Sequence, residues 1–196
     1  MKNASLSELN KLDGLFLTDK GAIHDYLWVY DELFMPYRDK DINIFEVGYQ
    51  NGGSCKLWTD YFYKAKIKFI DLCPWKLSDG ERQERKRYKL IDYYIPPESS
   101  RATMEFMDAG KLTQKYFIDF PPDIAIDDGS HLISDQIHFI KTVYPILRYG
   151  GLLIVEDIQD IDNDKGLFDE LNIPYEIIDD REIQDVYDEV LLIFRK

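Results

Sequence analysis

The sequence predicts an α/β fold: a mostly parallel sheet with helices on both faces. Three observations predict it. Strand-like and helix-like stretches alternate from residue 42 onward, and such alternation implies βαβ units and a parallel sheet. The strand candidates are short apolar runs with little inside-outside alternation, as in a sheet covered on both sides. The chain has 196 residues, 45% of them hydrophobic and 14 of them Tyr, which fits one domain with a sizeable core.

The elements follow in order. Ser5 and Glu8 have the spacing of a capping box and open a short helix to about Leu12. After a loop containing Thr18-Asp19-Lys20-Gly21, residues Ile23, Leu27, Tyr30 and Phe34 mark one face of an amphipathic helix, ended by Pro36 and Asp39 to Asp41. Residues 1–40 therefore read as an N-terminal helical segment packed on the core formed by residues 41–196.

Ile42 to Val47 is a strand ended by Gly48; Leu57, Trp58, Tyr61 and Phe62 mark a helix face. Ile67 to Ile70 is a strand ended by Asp71, and Ser78 with Glu81 forms a second capping box, opening a very polar helix to about Leu90. Tyr93 to Ser100 contains Pro96-Pro97 and reads as a loop. Thr103 to Met107 is a strand ended by Asp108, and Asp123 to Ile126 one ended by Asp127-Asp128. Ile133 to Leu147 is a helix with Ile137, Ile140 and Tyr144 on one face. Gly150-Gly151 launches Leu152 to Val155, ended by Glu156-Asp157. A short helix near Lys165 to Leu171 precedes two last strands, Tyr175 to Ile178 and Glu189 to Phe194, with no convincing helix between them. These two read as an antiparallel edge.

Composition excludes several classes. The net charge of −13 opposes general binding to nucleic-acid phosphates and is compatible with a divalent cation. No apolar run approaches the ~18 residues of a membrane span. Met1 to Asn10 is polar and lacks the apolar core of a signal peptide. A cytoplasmic protein is expected. Cys55 and Cys73 are too few for a disulfide framework or a Cys-rich zinc site and read as core thiols.

The chemistry collects at strand ends. Asp71, Asp108, Asp127, Asp128, Glu156 and Asp157 all follow a strand, and in open α/β sheets the ligand crevice lies outside those carboxyl ends. A single Asp there is an ordinary helix cap or turn residue. Paired carboxylates are less easily explained so, because adjacent like charges repel unless a cation is present. The first strand runs into Glu46-Val47-Gly48-Tyr49-Gln50-Asn51-Gly52-Gly53-Ser54, a glycine-bearing turn that lets the backbone approach a ligand next to a positive helix end. The dinucleotide pattern G-x-G-x-x-G is broken by Gln50, and G-x-x-x-G-x-G fails at Ser54.

Glu46-x-Gly48-x-x-x-Gly52-x-Ser54 resembles motif I of the class I S-adenosylmethionine-dependent methyltransferases. More specifically, Thr18-Asp19-Lys20, Ile126-Asp127-Asp128-Gly129-Ser130-His131 and Val155-Glu156-Asp157 resemble the metal-dependent sugar O-methyltransferases of macrolide biosynthesis and the related cephalosporin-hydroxylase-like group. The resemblance runs from about Leu17 to Ile158. It implies a Rossmann-like three-layer sandwich with a seven-stranded sheet in the order 3-2-1-4-5-7-6, the last strand antiparallel. It implies S-adenosylmethionine as cofactor, with Glu46, Gly48, Gly52, Ser54, Asp71 at the ribose, Asp108 beside the adenine, Asp127, and Thr18 near the methionine end. Asp127 has the alternative of orienting the site from behind.

Asp128, Glu156 and Asp157 correspond to the family's magnesium ligands, and hard oxygen donors suit Mg²⁺. His131 corresponds to the general base for a hydroxyl made more acidic by the metal. The resemblance thus implies a small-molecule acceptor, a sugar or similar polar metabolite, with no nucleic-acid or membrane partner and a possible homo-oligomer. The sugar methyltransferases commonly carry extra N-terminal sequence that helps enclose the substrate, whereas this chain has about twenty residues before its first long helix.

Two rival readings stand beside this one: a nicotinamide-dependent oxidoreductase, opposed by the glycine spacing, and a non-catalytic binding module, opposed by the retained Asp128, His131, Glu156 and Asp157. His24 reads as a loop residue and His138 as a helix-face residue. Arg82, Arg85, Lys86, Arg87 and Lys89 form a basic island, either a solvated helix face or a handle for an anionic substrate such as a nucleotide-sugar phosphate. Tyr93, Tyr94 and Pro96-Pro97 read as a lid beside it.

Overall fold

A computed structural model describes residues 4–72, 79–97 and 100–196. Cys73 and Ser78, and with Ser78 the second capping box, lie outside them. The elements are α1 (Leu6–Leu9), β1 (Lys11–Leu12), β2 (Leu15–Phe16), α2 (Leu27–Phe34), β3 (Asn43–Val47), α3 (Gly53–Tyr61), β4 (Lys66–Asp71), α4 (Asp79–Tyr88), β5 (Ala102–Phe106), β6 (Ile124–Asp127), α5 (Ile133–Val143), β7 (Leu152–Val155), α6 (Ile161–Asp169), β8 (Tyr175–Asp179), α7 (Arg181–Gln184) and β9 (Val190–Arg195).

The main sheet has seven strands in the order β5-β4-β3-β6-β7-β9-β8. Numbered from β3, this is the expected 3-2-1-4-5-7-6. The first five strands in that order pair in parallel, and β9 runs antiparallel to both β7 and β8. Every residue of the central strands β3, β6 and β7 is buried, as a sheet covered on both faces requires. The period-two alternation of a strand divides β3 between two cores. Ile44 joins Tyr30, Phe34 and Trp58 on the side of α2 and α3. Phe45 and Val47 join Phe117, Phe139 and Phe168 on the side of α5 and α6.

Several element bounds differ from the sequence reading. The capping box at Ser5 forms, with Ser5 N–H donating to Glu8 Oε2 at 2.8 Å. The helix it opens ends at Leu9, because the buried Asn10 side chain turns to bracket Thr18, accepting from its N–H at 3.0 Å and donating to its carbonyl at 3.3 Å. The two-stranded β1-β2 hairpin fills the space between. Helix α2 begins at Leu27 rather than Ile23, since residues 19–26 form a 3₁₀ turn and loop. Helix α5 gives way at Tyr144 to a 3₁₀ turn containing Pro145, which lacks the N–H a helix interior needs. Helix α6 starts at Ile161, where Asp160 caps it by accepting from Asn163 N–H at 3.3 Å. The short α7 sits between β8 and β9, where no helix was expected. Among the described residues no helix is long and apolar enough to cross a membrane.

The basic island is not uniformly solvated. Arg85 is 5% exposed; its guanidinium donates to the Ile91 carbonyl at 2.7 Å and to Gln50 Oε1 at 3.0 Å, bracing the turn after β3. Lys86 and Arg87 are exposed.

Candidate active site

A cavity of about 720 Å³ opens at the carboxyl ends of the parallel strands, within the size range of ligand pockets. Its walls carry nine aspartates, two histidines and, among the described residues, no Lys or Arg. It has two halves.

The first half is made by the turn after β3 and the end of β4. Gly48 has φ +93°, and a Cβ there would fall 1.8 Å from the Asp128 carbonyl oxygen. Only glycine lets this turn lie against the loop after β6. Asp71 Oδ2 accepts two backbone N–H groups, from Tyr49 at 2.9 Å and Gln50 at 3.0 Å, which fixes the carboxylate at the cavity edge. Gln50 adopts φ +47°, the position where the dinucleotide pattern would place glycine. Asp108 lines the wall and caps its own turn, accepting from Gly110 N–H at 2.9 Å.

The second half is made by the loops after β6 and β7. Asp128 N–H donates to Val47 carbonyl and Glu156 N–H to Asp127 carbonyl, both at 3.0 Å. These bonds carry the sheet ladder past the strand ends and set the two acidic pairs side by side. His131 and Asp157 both sit in the left-handed region, at φ +57° and +55°, a conformation that costs a non-glycine residue free energy and clusters at functional sites. Around His131 the turn is held by Ser130 Oγ donating to Asp135 at 2.6 Å, and Gln136 Nε2 ties α5 to the Glu156 carbonyl at 3.1 Å.

His131 Nε2 lies 3.5 Å from Asp128 Oδ1 and 3.4 Å from Asp157 Oδ2. Asp128, His131 and Asp157 each offer an atom within 4.8 Å of the others, a geometry that could hold a divalent cation through two hard oxygens and an imidazole. Burial opposes charge on His131, but Asp128 and Asp157 outweigh it and raise the imidazole to about 9. Asp128 is the mirror case: burial would raise it, yet Lys20 and His131 hold it at about 2. Burial pushes Asp157 up to about 6 and Asp127 to about 7. Asp127 Oδ2 is buried without a hydrogen-bond partner.

The N-terminal segment supplies the back wall, a role the sequence reading did not assign. Lys20 Nζ lies 2.5 Å from Asp128 Oδ2, 2.7 Å from Glu156 Oε2 and 3.7 Å from Glu46 Oε1. Tyr30 Oη donates to Glu156 at 2.5 Å and Tyr26 Oη to Asp157 Oδ1 at 2.7 Å. His24 Nδ1 meets Glu189 at 2.7 Å and its Nε2 lies 3.8 Å from Asp157. Burial works against the His24 charge, and Glu189 and Asp157 lift it to about 9. The one signal that could have found this wall is the polar tip that Tyr26 and Tyr30 carry, since a buried Tyr hydroxyl needs a partner.

The residues singled out in the sequence thus divide. Gly48, Asp71, Asp108, Asp127, Asp128, His131 and Asp157 line one cavity. Thr18, Glu46, Gly52, Ser54 and Glu156 do not. Thr18 is buried, its hydroxyl accepting from Lys20 N–H at 3.4 Å. Glu46 is fully buried among Lys20 and the Trp58 indole, which donates to it, and burial pushes its carboxyl up to about 7. Gly52 opens α3 at φ +78°, and Ser54 is buried. His138 Nε2 faces the Leu112 carbonyl at 3.2 Å and does not line the cavity.

Solved structures share this architecture. MycE, a methyltransferase from the mycinamycin biosynthetic pathway solved in complex with Mg and SAH, superposes with a TM-score of 0.65 at 20% identity, over 99% of this chain and 55% of MycE. The SAH-bound Podospora anserina methyltransferase PaMTH1 gives 0.57 at 15% identity, over 86% of this chain and 78% of that one. The fold is that of the class I methyltransferases. Curated relatives agree with it. An 8-demethyl-8-alpha-L-rhamnosyl tetracenomycin-C 2'-O-methyltransferase of Streptomyces olivaceus is 30% identical over 150 residues, 72% of this chain and 35% of that protein. Demethylmacrocin O-methyltransferase of Streptomyces fradiae is 30% identical over 159 residues, 77% of this chain and 36% of that protein. The chain therefore spans about a third of the length of these sugar O-methyltransferases. No protein-family model matches it.

Proposed function

We propose that this methyltransferase-fold chain is an S-adenosylmethionine-dependent, Mg²⁺-assisted O-methyltransferase acting on a hydroxyl of a sugar or similar small polar metabolite. The observation that carries the reading is the convergence of Asp128, His131 and Asp157 in the same cavity as Gly48 and Asp71. The electrostatics support it. A sulfonium cofactor is cationic at its reacting centre and suits a wall of aspartates; a dinucleotide pyrophosphate does not. The same wall speaks against a phosphorylated acceptor, since Lys86 and Arg87 of the basic island are exposed outside the cavity lining.

Asp71, held through Oδ2 by two backbone N–H groups, would offer Oδ1 to the ribose hydroxyls, with Asp108 on the adenine side. Asp128 and Asp157 would hold the metal, and Mg²⁺ when bound supplies Lewis acidity to the acceptor hydroxyl. Against the effect of burial, Asp128 and Asp157 hold the imidazole protonated up to about 9; with their charge offset by a bound cation, His131 Nε2 would be able to take the acceptor's proton, with Asp128 on its flank orienting the ring. The cavity positions the acceptor oxygen for in-line attack on the methyl group, so most of the rate gain comes from orientation and charge placement. Incubation of the purified chain with labelled S-adenosylmethionine, MgCl₂ and a panel of glycosylated acceptors tests this. Methyl transfer that EDTA abolishes is expected. Metal-independent transfer to nitrogen or carbon would reject the O-methyltransferase assignment.

A further inference from the structure

The segment between α7 and β9 lines the cavity with four consecutive residues, Asp185, Val186, Tyr187 and Asp188. The proposed transfer uses none of them. Their backbone is fixed from several sides. Asp185 ends α7 in the left-handed region at φ +55°, and its N–H donates to the Arg181 carbonyl at 3.1 Å. Glu189 N–H donates to the Val186 carbonyl at 3.2 Å, and Val190 N–H to the Asp188 carbonyl at 2.7 Å. The Tyr26 hydroxyl lies 3.0 Å from that same carbonyl and 2.7 Å from Asp157 Oδ1. One phenol thus ties the turn to the half of the cavity that holds Asp157 and His131. On this braced turn Tyr187 is 67% exposed. An exposed ring by itself means little; Tyr149 is one, 93% exposed and outside the cavity lining. Tyr187 differs because it is exposed and lines a ligand-sized cavity, which places it at the mouth. Of the other phenyl and phenol rings in the lining, Phe139 is buried in the core. Tyr88 belongs to α4, whose Arg85 braces the turn after β3.

We propose that Tyr187 is a specificity-determining residue of the acceptor site: a stacking platform at the cavity mouth for the C–H face of an uncharged hexopyranoside. This rests on the reading of the chain as an O-methyltransferase of sugar-like hydroxyls. A pyranose chair carries C–H groups on its faces and hydroxyls around its rim. The C–H face gains by covering an aromatic ring, whose face is negative. A tyrosine on a fixed turn gives that contact area at low entropic cost. The rim hydroxyls are donors, and the wall offers acceptors to them: Asp185 on the same turn and Asp19 on the N-terminal segment. Among the described residues no Lys or Arg lines the wall, so a phosphorylated sugar would meet like charge with no cation to offset it. Tyr187 touches no reacting atom; it selects a ring-shaped neutral acceptor and holds it over the acid cluster.

The test is saturation-transfer NMR titration of the S-adenosylhomocysteine-loaded protein. The probes are methyl α-D-glucopyranoside, methyl α-D-mannopyranoside, methyl α-L-rhamnopyranoside, the acyclic polyol sorbitol, and glucose 6-phosphate. The proteins are the wild type, Y187A, Y187L, Y187F, Y187W and Y149A. The wild type is expected to bind at least one methyl pyranoside more tightly than sorbitol or glucose 6-phosphate, with transfer strongest to the C–H protons of one ring face. Y187A and Y187L weaken that pyranoside by about tenfold, the scale of one lost ring contact. Y187F and Y187W stay within about threefold, and Y149A is unchanged. The Tm of Y187A stays within about 2 °C, as for an exposed side chain, and its S-adenosylhomocysteine affinity within about twofold. Should Y187A not fold, Y187L against Y187F decides, since it keeps bulk and loses the ring. Unchanged pyranoside binding in the variants without a ring overturns the proposal. So does an equal loss in Y187F, which would mean a hydroxyl contact in place of stacking, or a preference for sorbitol or glucose 6-phosphate. A wild type that binds S-adenosylhomocysteine and no pyranoside overturns this inference and leaves the cofactor assignment standing. A wild type that fails to bind S-adenosylhomocysteine removes the methyltransferase assignment, and pyranoside titration of the unloaded protein then decides on Tyr187 by the same criteria.

Discussion

The two halves of the cavity are built by different means. The half around Gly48 and Asp71 is a backbone construction: a positive-φ glycine, a short turn, and a carboxylate fixed by N–H groups 21 and 22 residues back along the chain. The half around Asp128, His131 and Asp157 is a side-chain construction. Its carboxylates are set by Lys20, His24, Tyr26 and Tyr30 from an N-terminal segment more than a hundred residues distant. The first half depends chiefly on local backbone conformation. The second depends on a charge balance spread over elements that meet only in the folded state, so one substitution there propagates to several partners.

Variants can break or sharpen that contrast. The largest effect is expected from His131→Ala: methyl transfer falls by about 10²–10⁴-fold while S-adenosylhomocysteine affinity stays within a few-fold, as single-turnover rates and calorimetry would show. Equal losses in both would mean that the halves are not separable. Gly48→Ala attacks a contact that the two halves share. With an added Cβ 1.8 Å from the Asp128 carbonyl at φ +93°, a destabilisation of roughly 3 kcal/mol or more is expected, read as a lower denaturant midpoint. Asp71→Asn is expected to weaken S-adenosylhomocysteine by about 10-fold and leave Mg²⁺ binding unchanged.

The most gradual effect is a pH slope. His24 is raised in the fold to about 9 against an unfolded value near ~6.5. Its contribution is therefore fully present below about pH 6.5 and is lost as pH rises through 9, amounting to at most ~3 kcal/mol. His24→Gln should flatten the metal-free stability curve between those limits. An unchanged slope would show that the Glu189 contact does not hold the charge.

The same contrast explains what could be read from the sequence. The parallel sheet, the glycine turn and the acids at strand ends follow from patterns within short windows; the strand order came from the resemblance to the class I methyltransferases. Gly48, Asp71, Asp128 and Asp157 were visible because each sits at the end of an apolar run, and His131 through the resemblance carried by Asp128-Gly129-Ser130-His131. Glu156 was visible for the same reason, but its direction was not. Adjacent residues at a strand end point to opposite sides, and the left-handed turn at Asp157 sends the two carboxylates apart. Nothing local to Lys20 announces that it pairs with them; Thr18-Asp19-Lys20 reads as an ordinary capped turn. Tyr30 was legible as part of an apolar helix face and not as a hydrogen-bond donor. Glu46 was legible as part of the glycine motif, yet period two turns its side chain into the core beside Trp58. Boundaries drifted where a side chain overrode the pattern, as Asn10 does in ending α1.

The central claim is that the acid-walled cavity takes a sulfonium cofactor and no dinucleotide. Calorimetric titration of the wild-type chain with S-adenosylhomocysteine, S-adenosylmethionine and NADH tests it most directly. The account predicts one site for the first two ligands, lost in Asp71→Ala, and no heat from NADH. Binding of NADH in place of the adenosyl ligands, or adenosyl binding indifferent to Asp71, would contradict it.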